Sequence, residues 1–342
     1  MDIILLVGQF IVGLLIILKG ADWLTDGATF IAQRFNISTM VIGLTIVAFG
    51  TSTPELVVSL LSAIEGQSEI ALGNVVGSNV FNSLAIMGVT AMISPIAVKK
   101  NTIRYDIPLC ILISLVLFIM ASDTFVSGET ADLITRSEGI TLLAFFAIFM
   151  AYSFAIAKSD EKTDKTRIAK AEAAGKHVEK KISDEPVEVA PMWKSVMMII
   201  IGLGCLVFGG EWLVNGASGI ASLLGISESV IALTIVGAGT SAPELVTSIV
   251  AARKGDTDMA MGNVVGSSIF NIVAILGITS LLCPLSLGSI TTVDFGVLLF
   301  SAVALWLCCR FGKRLHIITR FEGFLLTACM VAYYVYLINV CA

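Results

Sequence analysis

Two glutamates occupy nearly identical surroundings in the chain. Glu55 ends the string GTSTPE and Glu244 ends the string GTSAPE, and both strings lie inside apolar runs long enough to cross a membrane. An ionised side chain near the middle of a bilayer costs roughly 3 kcal/mol or more, so such residues usually serve a pathway for ions, protons or substrates. The two carboxylates therefore indicate a functional site inside the membrane.

The residues just before Glu55 add polar groups to the same side of the helix. Thr51 and Glu55 are four residues apart and Ser52 is next to Thr51, so all three share one helical face. Pro54 has no N–H, which leaves the carbonyl of Gly50 without its helical partner. Freed carbonyls at membrane depth are tolerated where they are buried in protein or line a cavity.

The next apolar run contributes Ser78 and Asn82, which are also four apart and face one way. If the two copies of this pattern face each other, the centre collects carboxylate, hydroxyl and amide oxygens. These are ligands for a hard cation such as Ca²⁺ or Na⁺ rather than for a soft metal. The two histidines, His177 and His316, lie in a linker and a loop. The candidate ligands are Glu55, Glu244, Thr51, Thr240, Ser52, Ser241, Ser78, Ser267, Asn82 and Asn271.

The second half of the chain repeats the first at a constant offset of 189 residues. Between 41–88 and 230–277, 28 of 48 aligned positions are identical, without a gap. Internal repeats of this kind are how many secondary transporters are built.

Composition determines the class of protein that must carry these motifs. Hydrophobic residues make up 56% of the chain and charged residues only 14%, against about 25% charged in soluble domains. Apolar runs of about 20 residues recur, which excludes a soluble fold and predicts an all-α polytopic membrane protein. We predict ten transmembrane helices, at 3–31, 38–64, 70–93, 106–122, 138–157, 195–222, 227–251, 259–282, 292–309 and 320–340.

These spans form two five-helix repeats, 1–157 and 195–342, joined by a polar linker at 158–194. Since five is odd, the two repeats must cross the membrane in opposite directions. The loop at 64–69 is acidic, whereas its counterpart at 253–258 begins with two basic residues, and basic residues collect on the cytoplasmic side. We therefore expect a multi-pass protein of the cell (inner or plasma) membrane, with the linker in the cytoplasm and both termini outside.

The paired strings GTSTPE with GNVVGSNVFN and GTSAPE with GNVVGSSIFN resemble the two alpha-repeats of the cation/calcium exchanger superfamily, in its sodium/calcium branch of prokaryotic type. The resemblance implies a ten-helix antiporter that exchanges Na⁺ for Ca²⁺ by alternating access, with the first and sixth helices sliding across a rigid core. By matched position, it implies calcium ligands at Glu55 and Glu244, assisted by Thr51 and Thr240. It further implies sodium ligands at Ser52, Ser78, Ser241 and Ser267, lining amides at Asn82 and Asn271, and facing carbonyls at Ala48 and Gly237.

Other functions remain open at this point. The potassium-dependent branch usually carries Asp where this chain has Asn271, and the proton/calcium branch shows Gly-Asn where this chain has Gly-Thr-Ser before Glu55. A channel and an intramembrane hydrolase are alternatives of other classes, but a hydrolase lacks a histidine base here. We expect a transporter rather than an enzyme. Its expected partners are the transported ions Ca²⁺ and Na⁺ and the lipid bilayer, with no cofactor, nucleic acid or obligate protein partner.

Overall fold

The computed structural model describes residues 3–35, 37–126, 132–173, 191–224, 237–288, 290–312 and 315–341. The helices of the first half are α1 Ile3–Phe35, α2 Thr39–Thr51, α3 Thr53–Ile64, α4 Ser68–Ile93, α5 Thr102–Met120 and α6 Arg136–Ala173. Those of the second half are α7 Met192–Leu223, α8 Gly237–Thr240, α9 Ala242–Arg253, α10 Thr257–Leu282, α11 Thr292–Phe311 and α12 Arg320–Cys341.

Eight of the described helices are long and apolar enough to span a membrane, and α2 with α3 forms a ninth span that is bent by 45°. The predicted seventh span, 227–251, begins outside the described residues, and its described part is α8 and α9. The chain is therefore an all-α polytopic membrane protein, as its composition predicts.

Helices α4 and α10, which carry the GNVVG strings, form the centre of the molecule. In their most apolar windows, 72% of the α4 residues and 89% of the α10 residues are buried, against 22–39% in the other spanning helices. A helix that is buried on all sides positions side chains more rigidly than one that faces lipid. The functional strings thus lie on the two most enclosed helices and on the α2–α3 and α8–α9 pairs beside them.

The bends fall at the predicted prolines. Pro54 and Pro243 occupy the first turn of α3 and α9, where a missing N–H is tolerated. The residues before these helices, Ser52 and Ser241, have φ/ψ of −85°/9° and −90°/8°, which lie in the sparsely populated bridge region. Both repeats therefore break in the same way, immediately beside the glutamate.

Both central helices also widen at the predicted asparagines. A π-helical turn covers Asn82–Ile86 in α4, and another covers Asn271–Leu276 in α10. A π turn shifts the backbone hydrogen bonds by one residue relative to an α-helix. Such turns are rare in proteins, and those that occur are frequently at functional sites. The two turns begin at equivalent positions of the repeat, so Asn82 and Asn271 lie at the same local distortion of the two central helices.

The ends of the two halves are interlocked. Strand β1 (Ile96–Ala97) pairs antiparallel with β4 (Ile317–Ile318), and β2 (Leu133–Ile134) pairs antiparallel with β3 (Leu285–Ser286). Each ladder joins one strand of the first half to one of the second. The last helix of each half accordingly packs on the central helix of the other, α6 on α10 and α12 on α4.

The α4–α12 packing depends on a pair of glycines. A Cβ added to Gly88 would lie 2.9 Å from the carbonyl of Gly323, and one added to Gly323 would lie 2.6 Å from the carbonyl of Gly88. Real Cβ atoms essentially never approach so closely, so the two backbones touch only because both residues are glycine.

A second repeated motif, which was not predicted, starts α6 and α12. The strings TRSEG and TRFEG begin at Thr135 and Thr319. The Thr135 amide donates to the Glu138 carboxylate at 2.7 Å, and the Thr319 amide donates to the Glu322 carboxylate at 2.6 Å. Each glutamate thus caps its own helix, and both caps are built on the same five-residue pattern.

Helices α1 and α7 pack antiparallel along their length, on one side of the core. A Cβ on Gly20 would lie 2.8 Å from the carbonyl of Gly202, and a Cβ on Gly202 would lie 2.8 Å from the carbonyl of Gly20. These are the two helices that the family resemblance expects to slide.

Helix α6 continues to Ala173, beyond the end of the span predicted at 157. The first part of the predicted linker is therefore helical, and the stretch 174–190 lies outside the described residues.

Candidate functional site

The two glutamates are joined by a crossed pair of hydrogen bonds between the repeats. The Ser52 hydroxyl donates to Glu244 Oε1 at 2.8 Å, and the Ser241 hydroxyl donates to Glu55 Oε1 at 3.0 Å. All four side chains are completely buried. Each serine at a helix break therefore holds the carboxylate of the opposite half, and the two broken helices meet at the centre of the protein.

On the helices that carry this pair and on α4 and α10, which pack against them, several oxygen atoms of predicted ligands have no hydrogen-bond partner among the described residues. They belong to Glu55, Glu244, Ser78, Asn82 and Asn271, and each is buried. A buried polar atom without a partner costs about 1–3 kcal/mol. Five such groups, all of them predicted ligands, form the oxygen set that a hard cation would satisfy.

Thr51 and Ser267 bring the Ala48 carbonyl into the same cluster. The Thr51 hydroxyl lies 3.4 Å from this carbonyl, and the Ser267 hydroxyl lies 3.5 Å from it. Thr51 is 1% exposed, while Ser267 and Ala48 are fully buried. The hydroxyls of Thr51 and Ser267 also interact with the Glu244 carboxylate.

The remaining predicted ligands lie on the same elements. Thr240, the last residue of α8, interacts with the Glu55 carboxylate. Gly237 begins α8, directly after residues that lie outside the described part of the chain. The predicted ligands that contact the carboxylates or one another are Glu55, Glu244, Thr51, Thr240, Ser52, Ser241, Ser267 and Ala48. Ser78, Asn82 and Asn271 lie on α4 and α10, which pack against the helices that carry the two glutamates.

Two asparagines that were not among the predicted ligands brace this cluster. Asn74 donates to the Glu55 carbonyl at 3.1 Å and to Ser59 at 2.9 Å. Its repeat mate Asn263 donates to the Glu244 carbonyl at 3.2 Å and to Ser248 at 3.0 Å. The sequence feature that could have identified them is their repetition: the asparagine and its serine partner are both identical between the two halves at the 189-residue offset.

The two lining asparagines are not equivalent. Asn271 donates to Asn79 Oδ1 at 3.1 Å, whereas Asn82 has no partner for either its oxygen or its nitrogen among the described residues. The difference arises because the repeat mate of Asn79 is Ser268, which is too short to make the corresponding contact. The site is thus pseudo-symmetric in its carboxylates and asymmetric in its amides.

None of the basic side chains that form ion pairs in the described part of the chain pairs with the two buried carboxyl groups. The ion pairs found there join Lys99 to Asp258 and Lys254 to Asp22 and Asp26, and none reaches the buried carboxylates. Among the described residues, no group of three or more His, Cys, Asp or Glu side chains is placed so that it could hold a metal ion. Two carboxylates surrounded by hydroxyls and amides suit transient binding of Ca²⁺ or Na⁺ rather than a structural transition metal.

A separate open cavity of about 810 Å³ lies between α1, α2, α5 and the α9–α10 loop. Its polar lining includes Asp26, Asp106 and Asp256 together with Lys99 and Lys254. The apolar part of its lining extends to Leu44, one turn before Ala48.

Comparison with known proteins places the chain in a family. The family described as sodium/calcium exchanger protein matches residues 5–155 and 194–339. The sodium/calcium exchanger MaX1 of Methanosarcina acetivorans is 32% identical over 346 residues, covering 96% of this chain and 97% of the relative. The inner membrane protein YrbG of Escherichia coli is 32% identical over 300 residues, covering 87% of each chain.

A solved structure of the sodium–calcium exchanger NCX_Mj, soaked with zero Na⁺ and Ca²⁺, superposes with a TM-score of 0.77 at 31% identity and covers 100% of both chains. The predicted fold of ten helices in two inverted repeats is confirmed by this match. The chain belongs to the sodium/calcium exchanger family, and it is a multi-pass membrane antiporter of Na⁺ and Ca²⁺ rather than an enzyme.

Proposed function

We propose that the crossed cluster binds Ca²⁺ and Na⁺ in turn, and that the protein exports Ca²⁺ against its gradient by electrogenic alternating access. The observation that carries the proposal is the pair of buried carboxylates, Glu55 and Glu244, each hydrogen-bonded by a serine of the other repeat. A site shared equally by two halves can be opened to either side by moving elements outside it.

Charge balance supports a calcium-selective state. Two carboxylates neutralise one Ca²⁺, and the amides of Asn82 and Asn271 add no further charge. We expect Glu55 and Glu244 to bind Ca²⁺ directly, with Thr51 and Thr240 assisting. Sodium ions would use the serine hydroxyls and the carbonyls of the broken helices, at Ser52, Ser78, Ser241, Ser267, Ala48 and Gly237.

The energetics favour three Na⁺ for each Ca²⁺, as the family resemblance implies. One net charge moving across 100 mV provides about 2.3 kcal/mol. Three Na⁺ falling down a tenfold gradient add roughly 4.2 kcal/mol. Together, on the order of 6.5 kcal/mol could hold a calcium gradient between ~10⁴ and ~10⁵. Two Na⁺ without the voltage contribution would hold only about a hundredfold gradient.

The packing supports movement of α1 and α7 relative to the core. These helices pack on each other through touching glycine backbones, as at Gly20 and Gly202. On one face, Lys254 of the core forms ion pairs with Asp22 at 3.1 Å and Asp26 at 2.9 Å of α1. Such exposed pairs are individually weak, so they can break and re-form as α1 moves.

The same face carries the open cavity, whose lining approaches the cluster at Leu44. We propose that this cavity is a cytoplasmic access route, since Lys99 and Lys254 belong to loops that the positive-inside rule places inside. In this orientation both termini are outside and the linker at 158–194 is cytoplasmic. Arg136, which opposes the rule, points at the Leu282 carbonyl at 3.4 Å, so its position has a structural reason.

The experiment that tests this function is calcium-45 uptake into proteoliposomes under separate outward gradients of Na⁺, K⁺ and H⁺. We expect uptake with the Na⁺ gradient alone, and faster uptake when the interior is positive, because net positive charge leaves with the Na⁺. Uptake that requires K⁺ or follows the H⁺ gradient would support the potassium-dependent or proton-coupled alternative. Calcium flux without any counter-ion would indicate a channel.

A further inference from the structure

Asn263 has every hydrogen-bonding group of its side chain engaged. Its amide nitrogen donates to the Glu244 carbonyl at 3.2 Å and to Ser248 Oγ at 3.0 Å, while its Oδ1 accepts from the Thr51 hydroxyl at 3.1 Å. A carbonyl can only accept, so the Glu244 carbonyl fixes which end of the amide is nitrogen. The side chain is fully buried and therefore has one orientation.

This orientation determines where the Thr51 proton goes. A hydroxyl carries a single hydrogen, and donating it to Asn263 leaves the lone pairs of the Thr51 oxygen free to face a cation. Two other acceptors are within its reach, the Ala48 carbonyl at 3.4 Å and the Glu244 carboxylate, and both are proposed ligands. Without Asn263 the Thr51 proton would turn to one of these two acceptors, so two ligand oxygens would be engaged with each other instead of with the ion.

Asn263 also ties the backbone of one glutamate to the opposite repeat. Thr51 belongs to the first half, whereas Glu244 and Ser248 belong to the second. Asn74 makes the equivalent two donations to the Glu55 carbonyl and Ser59. The same brace is therefore built twice, once behind each carboxylate.

We propose that Asn263, with its repeat mate Asn74, is a positioning residue that sets the affinity of the cation site. Asn263 acts through the direction of the Thr51 hydroxyl and the placement of Glu244. This inference rests on the proposed function. Partners behind metal ligands typically change metal affinity by 10–100-fold when they are removed.

The test is equilibrium calcium-45 binding to the purified protein, combined with sodium-driven calcium flux. We expect Asn263→Ala to raise the half-saturating Ca²⁺ concentration about 10- to 100-fold. Ser268→Ala is the matched control, because Ser268 is buried in the same helix and its hydroxyl bonds the Val264 carbonyl one turn away. We expect this control to keep the affinity of the unmodified protein.

A double-mutant cycle separates positioning from general stability. Thr51→Val removes the hydroxyl through which Asn263 acts, so the two substitutions should not weaken Ca²⁺ binding independently. We expect the double variant Thr51→Val/Asn263→Ala to bind Ca²⁺ at least about fivefold more tightly than the multiplied losses of affinity of the two single variants predict. Multiplicative effects, or an unchanged affinity in Asn263→Ala, would overturn the inference. Asn74→Ala provides the same affinity test if Asn263→Ala fails to fold.

The two levels of failure are distinguishable. If the unmodified protein shows no sodium-driven calcium flux, the proposed function is wrong. If that flux is present and the Asn263 and Asn74 variants bind Ca²⁺ normally, only the positioning role is wrong.

Discussion

Replacing Glu55 by glutamine removes one charge from the buried cluster while changing the shape of the side chain very little. In the structure Glu55 Oε1 accepts from Ser241, whereas Oε2 has no partner among the described residues. Glutamine offers one oxygen and an NH₂ group. If its oxygen keeps the bond from Ser241, its NH₂ points at the cation; in the other orientation, the neutral oxygen replaces a carboxylate.

The expected effect of the substitution on ion binding follows from the charge that it removes. Two unit charges 4 Å apart interact with about 4 kcal/mol at an effective dielectric constant of about 20. Removing one carboxylate charge therefore costs roughly twice as much binding free energy for Ca²⁺ as for Na⁺. This difference should weaken calcium binding roughly a thousandfold more than sodium binding. Glu244→Gln should behave in the same way, because Glu244 is equally buried and receives the mirror-image bond from Ser52.

The assay compares calcium-45 self-exchange with sodium-22 self-exchange in proteoliposomes. We expect calcium exchange to fall below detection in both variants, while sodium exchange persists at a raised half-saturating concentration. Glu65→Gln is the matched control, since Glu65 is exposed in the α3–α4 loop. Near-normal calcium exchange in Glu55→Gln or Glu244→Gln, at normal expression, would refute the assignment of the carboxylates.

Three further predictions concern the scaffold. A cysteine at Glu65 should react with an impermeant thiol reagent from outside intact cells and one at its repeat mate Lys254 should not, in a background without the native cysteines; equal labelling of both would contradict the inverted orientation. Gly202→Ala should lower the melting temperature by the equivalent of about 1–3 kcal/mol, because its Cβ would collide with α1, whereas Gly204→Ala, with no neighbour within 4 Å, should not; equal melting temperatures would argue against tight α1–α7 contact. Burial raises the pKa of Asp256, against the opposing bonds from Met259 and Thr39. Because the folded protein favours the protonated Asp256 carboxyl, protonation stabilises the fold. This stabilisation is complete below the ordinary pKa of about 3.9 and is lost as the pH rises through the raised pKa. The melting temperature of Asp256→Asn should therefore depend less on pH above the ordinary carboxyl pKa, and an unchanged pH profile in thermal unfolding would exclude this titration.

Much of the fold follows from the sequence because its causes are local. Apolar runs identify the spans, and the constant offset between repeats implies inversion once the number of spans per half is odd. Pro54 and Pro243 predict the breaks because proline lacks the amide that a continuous helix needs. Hydropathy marked the end of the fifth span near 157, whereas α6 continues to Ala173. The reason is that hydropathy reports the bilayer boundary, while the Lys-, Glu- and Ala-rich stretch that follows still favours a helix.

The cross-repeat contacts could not be predicted in the same way. Ser52 and Glu244 are 192 residues apart, and Ser241 and Glu55 are 186 apart, so only the assembled fold shows that each serine bonds the opposite carboxylate. Asn263 was overlooked because a polar residue in a glycine-rich helix is commonly a packing residue. Its importance depends on three partners drawn from both halves of the chain.

The central claim, that Ca²⁺ and Na⁺ occupy one cluster in turn, is tested most directly by calcium-45 binding to the purified protein with Na⁺ as competitor. We predict one saturable calcium site per chain, displaced by Na⁺ with a steeper than hyperbolic dependence, and lost when both Glu55 and Glu244 are glutamine. Calcium that stays bound at saturating Na⁺, or that still binds to the doubly substituted protein, would contradict the account.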